Sequence, residues 1–343
     1  MNKNEKFDVL SYMRSITPSK PKDLNDYTVT KWCDYWLNVC CNGVKTTTYR
    51  SYESIIEHHI KPVLGDVLLQ ELTYEDVQLF INSMKMGVGI EAPLSPKTIK
   101  NVHGVLHKAL STAKINSYIE FNPADKVILP SIPHNEIHVL SLSEVRAFMR
   151  AIRGHDKEYL YLITLFSGLR EGEVIGLTWD CINFDEGYIK VYRQLIRRKN
   201  TSGHGQHYEW GSLKNNKSRK IYLCPTAMQI LLKLKAERKS NEFVFVNSDG
   251  SHYTHCAVYN ALQKIIDKSG LSHFRFHDLR HTYATMALKA GVDIKTLQYN
   301  LGHYTASFTL DVYGHCTDDM RTESSRKIEK LIINTLPTVI TSL

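Results

Sequence analysis

Phe276-His277-Asp278-Leu279-Arg280-His281-Thr282-Tyr283-Ala284-Thr285 is the stretch on which the reading of this chain turns. Polar residues lead, and apolar Leu279, Tyr283, Met286 and Ala287 then recur at helical spacing, so the stretch reads as the start of a helix. His277 and Arg280 project from one face, while Leu279 and Tyr283 point into a core. An imidazole that titrates near neutrality, beside a permanently charged fork of donors, suits an oxyanion such as phosphate. Taken alone, the stretch reads more simply as an amphipathic helix with a polar face. Its chemistry depends on what the chain supplies elsewhere.

The chain supplies a great deal. Upstream, Ser141-Leu142-Ser143-Glu144 is a capping box before a helix carrying Val145, Phe148, Met149 and Ile152. A second apolar helix, Tyr159 to Phe166, delivers the chain to Ser167-Gly168-Leu169-Arg170-Glu171-Gly172-Glu173. Two glycines around an arginine suggest a tight turn that aims Arg170 into a cleft; the plainer alternative is that Arg170 and Glu173 form a surface pair. Gly187 to Arg198 alternates like one strand, and Tyr208 to Leu213 and Arg219 to Leu223 look like two more. Lys214 to Ser218 resembles a β-hairpin turn between them. Helices return at Thr226 to Glu237 and Thr254 to Lys268, with a short strand Phe243 to Val246 between. Downstream, Gly291 ends the central helix, Asp293 to Leu301 forms another, and Leu301-Gly302-His303 follows. Thr305 to Tyr313 reads as helical, and an amphipathic tail helix runs from Asp318 to about Ile333.

The first hundred or so residues have a different texture. Residues 1–24 are polar and broken by Pro18 and Pro21, and read as a mobile leader. Residues 25–121 read as a small all-α domain. Its helices run from Thr30 to Leu37, from Thr46 to Ile60 with Gly65 as cap, from Tyr74 behind a Thr73–Asp76 capping box, and from Ser95-Pro96 through Ala113. Lys45, Arg50, Lys97, Lys100, Lys108 and Lys114 lie on their polar faces. Each singly is a solvated surface charge, but as a group they make a reasonable footprint for phosphates. Residues 122–138, with three prolines, read as a linker to a domain over residues 139–316. The whole is mainly α with a small antiparallel sheet, an α+β chain in two domains.

Bulk properties narrow the class. At 343 residues and 43% hydrophobic the chain can bury two cores, and no apolar run is long enough to span a bilayer. Seven cysteines without a C-x-x-C pair argue against a disulfide framework or a thiolate zinc site. A net charge of +8 favours a polyanionic partner.

With Arg170, Lys214, His277-x-x-Arg280, His303 and Tyr313 in that order, the chain resembles the tyrosine recombinases, or phage integrase family. The likeness lies in S-G-L-R-x-x-E at Arg170, L-K-x-x-x-S-R at Lys214, H-x-L-R-H-T at His277, L-G-H at His303 and T-L-D-V-Y-G-H at Tyr313. It implies a helical SAM-like core-binding domain followed by a recombinase catalytic domain. It implies double-stranded DNA, at attachment or core sites, as substrate, and a 3′-phosphotyrosine intermediate on Tyr313. Arg170, Arg280 and His303 would hold the scissile phosphate. His277 would accept the phenol proton, Lys214 would protonate the leaving oxygen, and Glu173 would orient Arg170. No metal or other cofactor is implied.

The resemblance further implies a dimer to tetramer on DNA, with residues 317–343 docking on a neighbour, and a place in the bacterial cytoplasm on the nucleoid. Integration or excision of a phage or mobile element, aided by excisionase or DNA-bending proteins, belongs to the same expectation. Only about 24 residues precede the helical domain, which suggests either a recombinase of core sites alone or a shortened form of a longer chain. Three rival readings remain: DNA relaxation of the type IB topoisomerase kind, a DNA-binding regulator without catalysis, and a zinc site from His277, His281 and His303.

Overall fold

The computed structural model of the chain describes residues 27–89, 92–133, 138–199, 206–213, 217–237 and 242–303. Lys214, Tyr313, the leader and the C-terminal tail lie outside the described residues. The chain divides into two compact units, residues 1–135 and 136–343, each with its own hydrophobic core.

In the first unit, the Thr28 side chain caps α1 (Val29–Tyr35), and a wider π turn, Trp36–Cys40, prolongs it. α2 (Thr46–Ile55) runs through a similar turn, Ile56–Ile60, into α3 (Lys61–Leu64). α4 (Tyr74–Met86) begins at the Thr73–Asp76 capping box, and α5 (Pro96–Ile115) begins at Ser95-Pro96. Ile99, Val102, Val105, Leu106, Ala109, Leu110 and Ala113 form the buried stripe of α5. Two indoles lock α1 and its extension to that helix. Trp32 donates to the Ala109 carbonyl at 2.9 Å and Trp36 to Thr112 Oγ1 at 3.1 Å, so each large apolar ring is buried with its polar handle satisfied.

Gly65 ends α3 as its C-cap, as the sequence predicts, and does so with a right-handed φ of −59°. Glycine is needed there for closeness, because a Cβ would run into the Lys61 carbonyl and the Thr30 hydroxyl. That approach lets Thr30 N–H donate to the Gly65 carbonyl at 3.0 Å. The first residues of the stretch read as a linker are pinned to the unit. The Asn122 amide donates to the His107 carbonyl and Ser111 Oγ, and Ile128 N–H donates to Gln78 Oε1.

The second unit opens with α6 (Leu142–Ala151) on the Ser141–Glu144 capping box. Val145 and Phe148 are buried there, whereas Met149 is exposed. α7 (Glu158–Ser167) is apolar on nearly every side and forms the middle of the core, against α8 (Glu171–Ile175), α9 (Pro225–Glu237) and α11 (Phe276–Lys289). α10 (His255–Ser269) packs on α6, and α12 (Ile294–Leu301) on α11. Phe148, Tyr161 and Phe274 meet edge to face in this core.

Among the described residues the strands form two antiparallel sheets. One has the order β1 (Ile182–Asn183), β2 (Tyr188–Val191), β5 (Arg219–Tyr222); the other pairs β3 (Gln194–Lys199) with β4 (Gln206–Gly211). The alternation from Gly187 to Arg198 is therefore two strands, not one. Both residues at the break are held by the turn Trp179–Cys181 and its flank: Tyr192 Oη donates to Asp180 at 2.5 Å, and Arg193 Nη2 to Thr178 Oγ1 at 3.0 Å. The Arg193 guanidinium also lies 4.0 Å over the Trp210 ring. Nor do the strands around Lys214 form a hairpin, since β4 pairs with β3 and β5 with β2. Phe243 to Val246 makes only isolated bridges, Thr178 to Phe243 and Val246 to His252.

Candidate active site

α7 ends at Gly168, where φ is +64°. A side chain there would be strained by the left-handed backbone and would collide with the Tyr283 ring, so the position takes glycine. This cap turns the chain sharply, and Arg170 emerges as the first residue before α8. Glu173, one turn later, accepts from the Arg170 backbone N–H at 2.9 Å through Oε2, and from Arg170 Nη1 at 2.9 Å through Oε1. Glu173 is only 3% exposed, so the surface-pair alternative fails.

A second guanidinium reaches the same carboxylate. Arg219, the first residue of β5, donates from Nη1 to Glu173 Oε1 at 3.0 Å and from Nη2 to Oε2 at 2.7 Å. Burial alone would raise the Glu173 pKa. The hydrogen bonds and charge of Arg219, then those of Arg170, outweigh burial and hold it at about 2.

α11 brings in the third arginine. Arg280, 1% exposed, donates to the Gly168 carbonyl at 2.6 Å and to the Leu301 carbonyl at 2.5 Å. The end of α12 thus acquires an arginine on each of three successive carbonyls. Arg219 Nε donates to Asn300 at 2.7 Å, Arg280 Nη2 to Leu301, and Arg170 Nη2 to Gly302 at 3.0 Å. The last carbonyls of a helix lack intrahelical partners and sit at the negative end of its dipole. Three cations at that end are therefore favourably placed, and they fix the backbone that carries His303.

Three imidazoles complete the group. The His277 and His281 rings meet edge to face with centroids 4.8 Å apart. Desolvation, then neighbouring charge, pushes all three pKa values down: His277 to about 4 with His281, Arg280 and Arg170 adding to the effect, and His303 to about 3 under Arg280 and Arg170. His281 falls to about 4 against a partial upward pull from Asp278. Part of the His277 side chain reaches the surface, but desolvation by the protein packed around the ring, then the charges beside it, keep it neutral. At pH 7 the cradle holds neutral imidazoles, able to accept or donate a hydrogen bond, among permanent cations.

This has a measurable sign. A histidine whose folded pKa is depressed takes up its proton only on unfolding, so stability declines as pH falls below the unfolded value of about 6.5. Relative to wild type, His303→Gln is expected to have a more favourable melting temperature at pH 5 than at pH 8. The His303 ring resonances should stay at neutral-form shifts to pH 5. A midpoint near 6 for that ring would refute this.

Arg170, Glu173, His277, Arg280 and His303 are thus brought together, while Lys214 and Tyr313 lie outside the described residues. A cavity of about 290 Å³ opens beside them, with Lys217, Lys295, Arg170 and His303 in its lining. Lys45, Arg50, Lys97, Lys100 and Lys108 belong to the other unit, on or just before α2 and α5. Four of them are exposed and Lys100 is half-buried; Lys108 donates to Tyr52 Oη at 3.1 Å, bridging the two helices. Among the described residues no group of three or more His, Cys, Asp and Glu is placed to hold a metal ion, so His277, His281 and His303 do not form a ligand set.

The sequence model of the phage integrase family matches residues 138–320, and that of the family's N-terminal SAM-like domain matches residues 28–85. The chain belongs to the phage integrase family. A tyrosine recombinase described as XerC-like, from Caldanaerobacter subterraneus, is 25% identical over 94% of this chain and 88% of its own length. The ICEBs1 integrase of Bacillus subtilis is 23% identical over 87% and 81%. Among solved structures, the Tn1549 transposon integrase in complex with a circular-intermediate DNA aligns with a TM-score of 0.76. It covers 88% of this chain and 99% of its own, at 24% identity, and the likeness is one of fold. As in the family, a helical SAM-like domain precedes a mostly helical catalytic domain with small antiparallel sheets.

Sequence reasoning missed Arg219 as a member of the site. A signal was present. In a strand that alternates, Arg219 shares a face with Ile221, so a charged residue stood at an inward position and required a buried partner. The held carbonyls of Asn300, Leu301 and Gly302 had no signal, since backbone acceptors carry no residue code. Among the described residues no helix is long and apolar enough to cross a membrane.

Proposed function

We infer that this site-specific recombinase cleaves and rejoins DNA with Tyr313 as nucleophile, and that the residues gathered at the end of α12 are its phosphate cradle. The observation that carries the reading is the convergence of Arg170 and Arg280, with His303, on one helix terminus. Attack on a phosphodiester builds negative charge on the two non-bridging oxygens, and preorganised cations lower that barrier most. Arg170 and Arg280 meet those oxygens with their guanidinium groups, and His303 adds an N–H.

Neutral His277 accepts the phenol proton as Tyr313 Oη bonds to phosphorus. The bond to the 5′ oxygen breaks, and Lys214 gives that oxygen a proton. The product is a 3′-phosphotyrosine and a free 5′-hydroxyl. Attack by a second 5′-hydroxyl reverses each transfer, so no external energy source is needed.

On this reading the exposed basic residues of the first unit, Lys45, Arg50, Lys97, Lys100 and Lys108, track the phosphates of the bound duplex. We also propose that copies assemble as a dimer or tetramer on attachment sites, with the chain beyond residue 317 linking neighbours. Such a cycle would integrate or excise a mobile element from the bacterial nucleoid, with excisionase or DNA-bending proteins setting direction.

The test is a nicked duplex from the flanks of the protein's own gene, incubated with purified protein and resolved under denaturing conditions. A protease-sensitive adduct is expected, with peptide mapping placing the nucleotide on Tyr313. Attachment to Tyr299 or Tyr304 would move the nucleophile, and intact binding with no adduct would favour a regulator. Relaxation of supercoiled plasmid without strand exchange would favour the topoisomerase alternative.

A further inference from the structure

Arg219 has no assigned role in this chemistry, yet it is the residue that joins the parts of the cradle. It is 4% exposed, and three of its five N–H donors are engaged inside the protein, on both oxygens of Glu173 and on the Asn300 carbonyl. It also contributes to the wall of the cavity beside the cradle, but its fork is committed to Glu173. The consequence lies at Glu173, whose two oxygens receive four donors: Arg219 Nη1 and Nη2, Arg170 Nη1 and the Arg170 backbone N–H. A carboxylate offers about four lone-pair sites, so this one is filled.

A filled carboxylate cannot draw in more of Arg170. Without Arg219, Glu173 would present open lone pairs to the remaining guanidinium beside it, and Arg170 would close on it as a bidentate pair. Its charge would then be matched internally and its free N–H groups turned inward. With Arg219 present, two guanidiniums share one carboxylate and a net positive charge remains at the cradle. The Asn300 contact adds a second effect, because it holds the helix end that leads through Gly302, the other acceptor of Arg170.

We propose that Arg219 is a positioning residue of the recombinase: by saturating Glu173 and holding Asn300, it keeps the Arg170 guanidinium turned toward the scissile phosphate. This rests on the functional reading above, and the experiment separates the two. Single-turnover adduct formation is measured on a nicked duplex spanning the mapped cleavage site. One version carries an ordinary phosphodiester there. The other carries a methylphosphonate, in which a methyl group replaces one non-bridging oxygen and removes the charge that Arg170 meets.

Arg219→Gln is expected to slow adduct formation on the diester about 100-fold, the scale for a lost oxyanion contact. Gel-shift affinity should stay close to wild type, and on the methylphosphonate the deficit should shrink to within about threefold, because little charge remains to be met. Arg219→Lys keeps the charge but loses the fork, and should fall between the two. An equal deficit on both substrates would mean that Arg219 only supports the fold, and no deficit on the diester would also overturn the proposal. If Arg219→Gln does not bind DNA, the substrate ratio of Arg219→Lys decides. Absence of an adduct with wild type on either duplex would sink the functional reading, and this inference with it.

Discussion

Tyr313→Phe is expected to bind the recombination site with wild-type affinity and to form no covalent adduct. The change removes one oxygen and leaves the ring and the net charge, while the proposed nucleophile is lost. Affinity for DNA comes mainly from cations on phosphates, which this change does not touch. Adduct formation should fall by more than about 10⁴-fold, as when a nucleophile is deleted from other covalent enzymes. A Tyr313→Phe protein that still forms an adduct would displace this tyrosine from the mechanism.

Glu173→Ala should be the most destabilising single change in the cradle. Among the described residues Glu173 is the only carboxylate paired with Arg170 and Arg219, and its removal takes away the counter-charge of the buried Arg219. Breaking a buried pair from one side costs about 3–5 kcal/mol, because the remaining ion has lost water and gained nothing. Glu173→Gln keeps the shape and some acceptor capacity, and should lose less. Calorimetry can assign the loss, since each unit has its own core. The transition of the second unit should drop sharply, with that of the first unchanged. Equal melting of Glu173→Ala and wild type would show that Arg219 finds water or another partner when the carboxylate is gone.

How much of this was legible in the chain depends on how local each cause is. The capping boxes at Thr73–Asp76 and Ser141–Glu144, and the Ser95-Pro96 start, involve residues at most three apart, and the structure has them where the sequence places them. The α5 stripe was readable for the same reason. Strand pairing was not. The alternation through Gly187–Arg198 runs unbroken in the sequence, and the residues at the break, Tyr192 and Arg193, are held by partners distant in the chain, among them Asp180, Thr178 and Trp210. Gly65 was readable as special but not why, since the reason is the approach of Thr30 from another helix. At the site, the order of motifs pointed to Arg170, His277, Arg280 and His303. What it could not show was the pairing of Arg219 with a glutamate 46 residues earlier.

The three arginine-held carbonyls at Asn300, Leu301 and Gly302 also fix the point from which the chain sets out toward Tyr313. Tyr313 stands ten residues beyond His303, and ten residues of chain reach at most about 35 Å whatever path they take. On the proposed mechanism that contour, measured from a fixed origin at the cradle's own edge, is the outer bound on where the Tyr313 hydroxyl can act.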